Sequence, residues 1–241
     1  MRGAALGPAA IRDALASSST NMWTESGIDL TAVLADAGDA PDQEALTAAV
    51  TGIIENGAVP IVLGGDHSIT YQIVRAVRPR YPTLSLIQID AHPDLYDQFE
   101  GDRLSHACQF ARIMEEQLVD RLVQVGIRTM NSAQSAQRAR FGVEVIDMMS
   151  FAAGTRPVID GPFYMSIDLD GMDPAFAPGV AHREPGGMSS RDVITLIQQM
   201  GGSLIGADVV ELNPSRDHGG ITAPLAAKLV KELAGRMLAA G

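Results

Sequence analysis

The chain reads as an α/β protein with a mostly parallel sheet and helices on both of its faces. Three observations lead there. Short runs rich in Val, Ile and Leu alternate with segments whose apolar residues recur at helical spacing, which is the pattern of right-handed βαβ crossovers. The runs are apolar nearly throughout, as strands buried on both faces are. Four of them break, at their carboxyl ends, into histidine and carboxylate residues, and that is where open α/β sheets place their sites.

With 241 residues and 46% hydrophobic content the chain can bury a large core, and one domain over 1–241 is expected. The net charge of -11 leaves no basic stripe for nucleic acid, argues against anionic membrane surfaces and suits a small cationic substrate. No apolar run approaches the roughly 20 residues of a membrane span and no leader pattern opens the chain, so a cytoplasmic protein is expected. The single Cys108 excludes an internal disulfide, fits a reducing compartment and reads as a small packed residue.

In chain order, Gly7-Pro8 starts a helix to about Leu15. Ala32–Asp36 is a short strand candidate ahead of the turn-rich Gly38-Asp39-Ala40-Pro41. A helix over about 43–56 carries Leu46, Ala49, Val50, Ile53 and Ile54 on one face, and Gly57 stops it. Val59–Leu63 is a strand ending in Gly64-Gly65-Asp66-His67-Ser68, followed by a helix over about 69–77. Leu84–Ile89 is a strand running into Asp90-Ala91-His92-Pro93-Asp94. A helical segment is expected from Ser105 to about Leu118, a strand over 123–127, an exposed helix over 134–140 and a strand over 143–146. Phe163–Ile167 is a strand that breaks into Asp168, Asp170 and Asp173. The Gly- and Pro-rich 175–188 segment, with His182, Arg183 and Glu184, is a candidate substrate loop. A helix over 190–200, a strand over 204–210 tipped by Glu211 and a helix over 223–238 complete seven strands in all.

The strand ends carry the chemistry. Asp90, His92, Asp94 and Asp97 within eight residues would repel one another and resist desolvation unless a cation sits among them. In an extended segment Asp90, His92 and Asp94 share a face, as do Asp168 and Asp170. Carboxylate oxygen with imidazole nitrogen suits a divalent ion such as Mn²⁺. Taken alone, His67 reads equally as a hydrogen-bonded core histidine and the Asp-rich stretch as a solvated loop. Together His67, Asp90, His92, Asp94, Asp168, Asp170 and Glu211 would meet at one sheet edge, and the six metal-type ligands among them suit two ions about 3.5–4 Å apart.

The stretches Gly64–Ser68, Asp90–Asp94 and Ser166–Asp170 with Asp173-Pro174 resemble the ureohydrolase family of arginases and agmatinases. The likeness covers nearly the whole chain and is nearest the plant-type arginases and their bacterial relatives, through Ser105-His106-Ala107, Phe110–Glu115, Ala177–Val180 and Gly206–Glu211. It implies a three-layer α/β/α arginase/deacetylase-like fold, two Mn²⁺ per chain and a homo-oligomer, trimer or hexamer. His67, Asp90, Asp94 and Asp168 match the ligands of one manganese, and His92, Asp90, Asp168 and Asp170 those of the other. His106 matches the family's proton-shuttling histidine and Glu211 the glutamate that receives the guanidinium. His182 and Arg183 match positions on the substrate loop. Family members carry a further strand before the Arg2-Gly3 segment, so an N-terminally shortened chain is expected.

The resemblance implies an arginase, which converts L-arginine and water to L-ornithine and urea. Agmatinase, guanidinobutyrase or another amidinohydrolase has the same chemistry and differs only in the substrate's tail, for which Arg183 is either a carboxylate partner or a solvated residue. A non-catalytic metal-binding homologue is the alternative of another class. A single-ion zinc deacetylase would not need both His67 and the Asp90–Asp94 set.

Overall fold

The computed structural model describes residues 3–239, so Arg2 of the N-terminal motif lies outside the described residues. Its strands are β1 (Ile61–Leu63), β2 (Ser85–Ile89), β3 (Arg121–Ile127), β4 (Glu144–Asp147), β5 (Pro162–Asp168) and β6 (Ser203–Val210). The helices are α1 (Gly7–Leu15), α2 (Gln43–Glu55), α3 (Ile69–Val77), α4 (Gln109–Glu115), α5 (Ser132–Phe141), α6 (Met148–Ala152), α7 (Ser190–Gln199) and α8 (Thr222–Leu238). All six strands are parallel, in the spatial order β1-β6-β5-β2-β3-β4.

Local chemistry starts and stops these elements. Asp42 caps α2 by accepting from Ala45 N, and Gly57, at a φ of 77°, follows its end. Asn131 with Gln134 and Ser189 with Asp192 form capping boxes for α5 and α7. The alternation of the central strands divides the core in two. Ile87, Ile89, Val123, Val125, Phe163, Met165 and Ile167 pack on one face against α1, α6, α7 and α8. Leu86, Leu122 and Tyr164 pack on the other against α2, α3 and α4. This is the expected three-layer α/β/α arrangement.

Spatial order explains why the strand tips meet. β1, β6, β5 and β2 are consecutive neighbours, so the chain segments leaving their carboxyl ends lie side by side although they are far apart in sequence.

Two expectations of secondary structure are corrected. Ala32–Asp36 is a turn followed by irregular chain, so six strands form among the described residues. Arg12 binds that segment through the carboxylates of Asp36 and Asp39 and the carbonyl of Gly38, and only Leu34 turns into the core. A side chain thus satisfies polar groups that a sheet ladder would otherwise use. The helix expected over Ser105–Leu118 is confined to α4, because Ser105–Cys108 is a turn closed by Cys108 N donating to Ser105 O at 2.9 Å. Gln117, at a φ of 53°, ends the segment. Helix α6 was not expected; at five residues it is too short to show periodicity.

Ile87 is fully buried in the central strand β2. Ile87→Ala is expected to lower the unfolding free energy by about 2–5 kcal/mol, measured by urea denaturation.

Candidate metal centre

The ligating side chains gather into two groups that share one residue. In the first, His67 Nδ1 lies 3.2 Å from each of Asp90 Oδ2, Asp94 Oδ2 and Asp168 Oδ2. In the second, His92 Nδ1 lies 3.1 Å from Asp170 Oδ2 and 3.6 Å from Asp90 Oδ1. Asp90 offers one oxygen to each.

Glycines and bends, rather than an extended strand, aim these groups. The chain bends at Ala91 and His92, and Asp94 adopts a left-handed φ of 50°, so Asp90 and Asp94 converge on His67 while His92 turns to the second group. Asp168 ends β5, whereas Asp170 sits in a short 3-10 turn whose N–H donates to Asp168 Oδ1 at 2.8 Å. The expectation that these residues share faces of extended segments is therefore corrected: the turn sends Asp168 to the first group and Asp170 to the second. Gly171 closes that turn against β2, and a Cβ there would stand 2.9 Å from Asp90 N.

A buried polar row lies beneath the ligands. Gln124, Gln88, Ser166 and Asp208 occupy matched positions on β3, β2, β5 and β6, all fully buried. Gln124 Nε2 donates to Gln88 Oε1 at 2.6 Å, and Gln88 Nε2 donates to Asp90 Oδ2 at 2.7 Å. His67 Nε2 meets Ser166 Oγ at 2.8 Å, and Ser166 Oγ donates to Asp208 Oδ1 at 2.6 Å. Thr70 and Tyr164 hydroxyls donate to Asp208 Oδ2. Gln109 Nε2 donates to Asp94 Oδ2 at 2.8 Å. Such contacts fix ring orientation and carboxylate rotamer before an ion arrives.

The first group has the features of a cation site. His67 Nδ1 is buried and has no hydrogen bond, although three carboxylate oxygens stand 3.2 Å from it. An octahedral ion with donors at about 2.1 Å holds neighbouring donors about 3 Å apart, which is this spacing. The electrostatics agree. Burial, with Asp170 and Asp90 nearby, raises Asp168 well above the usual carboxylate range; burial and Asp90 raise Asp94, and push Asp170 up to about 7. Burial alone would lower His67 and His92, yet the surrounding carboxylates raise His67 well above its ordinary value and His92 to about 12. Burial also raises Asp90, but His67 and His92 outweigh it and the net shift is downward. Without a cation the acids and imidazoles hold protons to neutralise one another; a divalent ion supplies the same compensation.

Glu211 follows β6 at a φ of 66°, a strained setting for a non-glycine residue. Its Oε1 accepts from His67 N at 3.0 Å, while Oε2 is buried without a partner. Burial pushes its carboxyl up to about 8. His106 is half-buried at the mouth, beyond the ligand groups, and its ring lies parallel to that of the exposed His182 with centroids 6.0 Å apart. His182 in turn meets the His92 ring edge-on at 5.8 Å. Arg183 is exposed, but its guanidinium is tied to the carbonyls of Pro178 and Arg216.

The sequence reading missed Arg128. Its guanidinium donates to the carbonyls of Gly126, Asp170, Gly171, Met172 and Glu184, at distances from 2.6 to 3.4 Å. It therefore joins the end of β3, the turn carrying Asp170 and the loop carrying His182. The only sequence signal was a cation immediately after an apolar run. The Gln88, Gln124 and Ser166 row had a clearer one, a polar residue inside each apolar run, one position before Ile89 and Ile167 and one after Val123.

A model of the arginase family matches residues 1–235. The chain is 44% identical to the mitochondrial arginase 1 of Arabidopsis thaliana over 98% of its own length and 77% of that protein's. It is 36% identical to the guanidinobutyrase of Pseudomonas aeruginosa over 75% of this chain and 61% of that one. Its fold superposes on the arginase of Medicago truncatula with a TM-score of 0.92 at 40% identity, covering 98% of this chain and 82% of the other.

In the metal-free protein the folded chain binds more protons than the unfolded chain between about pH 4 and pH 7–8, because Asp170 rises from 3.8 to about 7 and Glu211 from 4.5 to about 8. Its stability is therefore expected to fall as pH rises through that window, and a divalent ion should remove most of the slope; thermal midpoints with and without chelator check both. Arg128→Met leaves buried carbonyls unpaired and is expected to cost about 2 kcal/mol or more in denaturant unfolding.

Proposed function

The chain belongs to the arginase family, and from that premise we propose that it is a binuclear-manganese hydrolase that cleaves the guanidino group of L-arginine to give L-ornithine and urea. The observation that carries the reading is the pair of ligand groups sharing Asp90, set beside a buried carboxylate oxygen of Glu211 that has no partner. Identity of 44% to an arginase supports arginine, rather than another guanidino compound, as the substrate.

His67, Asp90, Asp94 and Asp168 would hold one ion and His92, Asp90, Asp168 and Asp170 the other. When bound, the ions supply Lewis acidity and make a water nucleophilic near neutral pH. Glu211 accepts N–H groups of the guanidinium, a cation that pairs with its carboxylate and holds it ionised against burial. The polar row keeps His67 and Asp90 in their working rotamers. His106, at the mouth, carries protons between solvent and the leaving amine.

A homo-oligomer, trimer or hexamer, and a single domain over 1–241 follow from the same family reading. A cytoplasmic location rests on the buried, unpaired thiol of Cys108, which fits a reducing compartment. No helix among the described residues is long and apolar enough to cross a membrane.

Protein loaded with about two manganese per chain is expected to release urea from L-arginine in preference to agmatine, and Asp168→Ala to lower that rate about 100-fold or more. A preference for agmatine would overturn the arginine reading, and manganese-loaded protein silent on both would point to a different guanidino substrate.

A further inference from the structure

The segment Gly3–Gly7 lies against the chain that leaves both β1 and β6. A Cβ added to Gly7 would stand 2.8 Å from the carbonyl oxygen of Leu212 and 3.3 Å from that of Gly64. A Cβ added to Gly3 would run into the side-chain amide of Asn213, and one added to Gly65 would touch Ala5 at 3.5 Å. The segment therefore bridges Gly64-Gly65, two residues before His67, and Leu212-Asn213, immediately after Glu211.

Neither glycine of the segment serves backbone freedom. Gly7 has a φ of -56° and a ψ of -51°, and Gly3 a φ of -117° and a ψ of -27°, both in the right-handed region open to any residue. What the missing Cβ allows is close approach. The segment is firmly seated, since Ala4, Gly7 and Ile11 are buried and α1, which begins at Gly7, packs on α8.

Glu211 sits between the two stretches that are touched. Its left-handed φ of 66° is a setting that persists only where the surroundings over-determine it. Toward β1 it is tied twice: Glu211 N donates to Gly65 O at 2.8 Å, and Glu211 Oε1 accepts from His67 N at 3.0 Å. Beyond it, Asn213 N donates to Gly179 O at 2.7 Å. Relaxing the Glu211 backbone would move Leu212 and Asn213, and Gly7 and Gly3 are packed against those two residues.

Resting on the reading above, in which Glu211 takes the guanidinium, we propose that Gly3–Gly7 is the buttress that holds Glu211 in its left-handed backbone and so aims its unpartnered oxygen. Gly7 and Gly3 are positioning residues that act through Glu211. The Arg-Gly and Gly-Pro pairs at the start of the sequence thereby gain a part in the site, although they contribute no side chain to it.

Gly7→Ala sets a methyl group against a backbone oxygen, so Leu212 must shift. It is expected to lower kcat/KM for L-arginine about tenfold or more while about two manganese per chain are still taken up. Hydrogen exchange of the manganese-loaded protein, followed by mass spectrometry over residues 64–68, reads the bond from His67 N to Glu211 without turnover. Exchange there should rise about tenfold in Gly7→Ala, with α5 near the opposite edge of the sheet unchanged. In Glu211→Ala, which removes the acceptor, Gly7→Ala should add no more than about twofold to that exchange. Gly3→Ala meets a side chain that can swing aside, so it should act in the same direction more weakly, and it replaces Gly7→Ala if that variant does not fold. Unchanged exchange over 64–68, an equal rise along the whole chain, or a full additional rise in the Glu211→Ala background would each overturn the proposal. Wild-type protein that releases no urea from L-arginine sinks the functional reading instead, and the exchange series still decides whether Gly3–Gly7 holds Glu211.

Discussion

Four carboxylates and two imidazoles occupy one largely buried place, and that concentration of charge governs the rest of the molecule. No apolar core would tolerate it uncompensated. The fold meets the constraint by making β1, β6, β5 and β2 neighbours, so that ligands from distant parts of the sequence arrive on one side. It then holds Asp90 and His67 from below by the row Gln124, Gln88, Ser166 and Asp208. Left-handed backbone at Asp94 and Glu211 completes the aim, and strain of that kind persists only where the surroundings over-determine it.

The same logic extends outward to the mouth. Glu211 keeps a buried oxygen without a partner, which is costly unless a cationic donor is expected there. The loop bearing His182 is held by arginines that spend most of their contacts on backbone carbonyls. Charge at the site is therefore concentrated in acids and imidazoles at the floor, with the Glu211 carboxylate beside them.

Much of this was legible in the sequence because it is written in local patterns. Apolar runs ending in His67, Asp90, Asp168 and Glu211 mark strand tips whatever the strand order is. What could not be read depends on non-local geometry. Ala32–Asp36 has the composition of a strand, but Arg12, some twenty residues earlier, ties it down as irregular chain. The helix at α4 starts four residues later than periodicity suggests, because a turn spends the backbone donors of the His106 region. Arg128 gave little signal because its partners are carbonyls from three separate places, and carbonyls have no sequence signature.

Those carbonyls have a further consequence. Main-chain oxygens do not titrate, and burial lowers the Arg128 pKa only from a starting value of 12.5, where a guanidinium stays charged at any ordinary pH. The clamp is thus indifferent to proton concentration, although Asp170, whose own carbonyl it grips, changes charge near neutrality in the metal-free chain. Ligands that gain and lose protons are mounted on a frame that cannot. Protonation of the ligands therefore leaves the contacts that hold the surrounding loops unchanged.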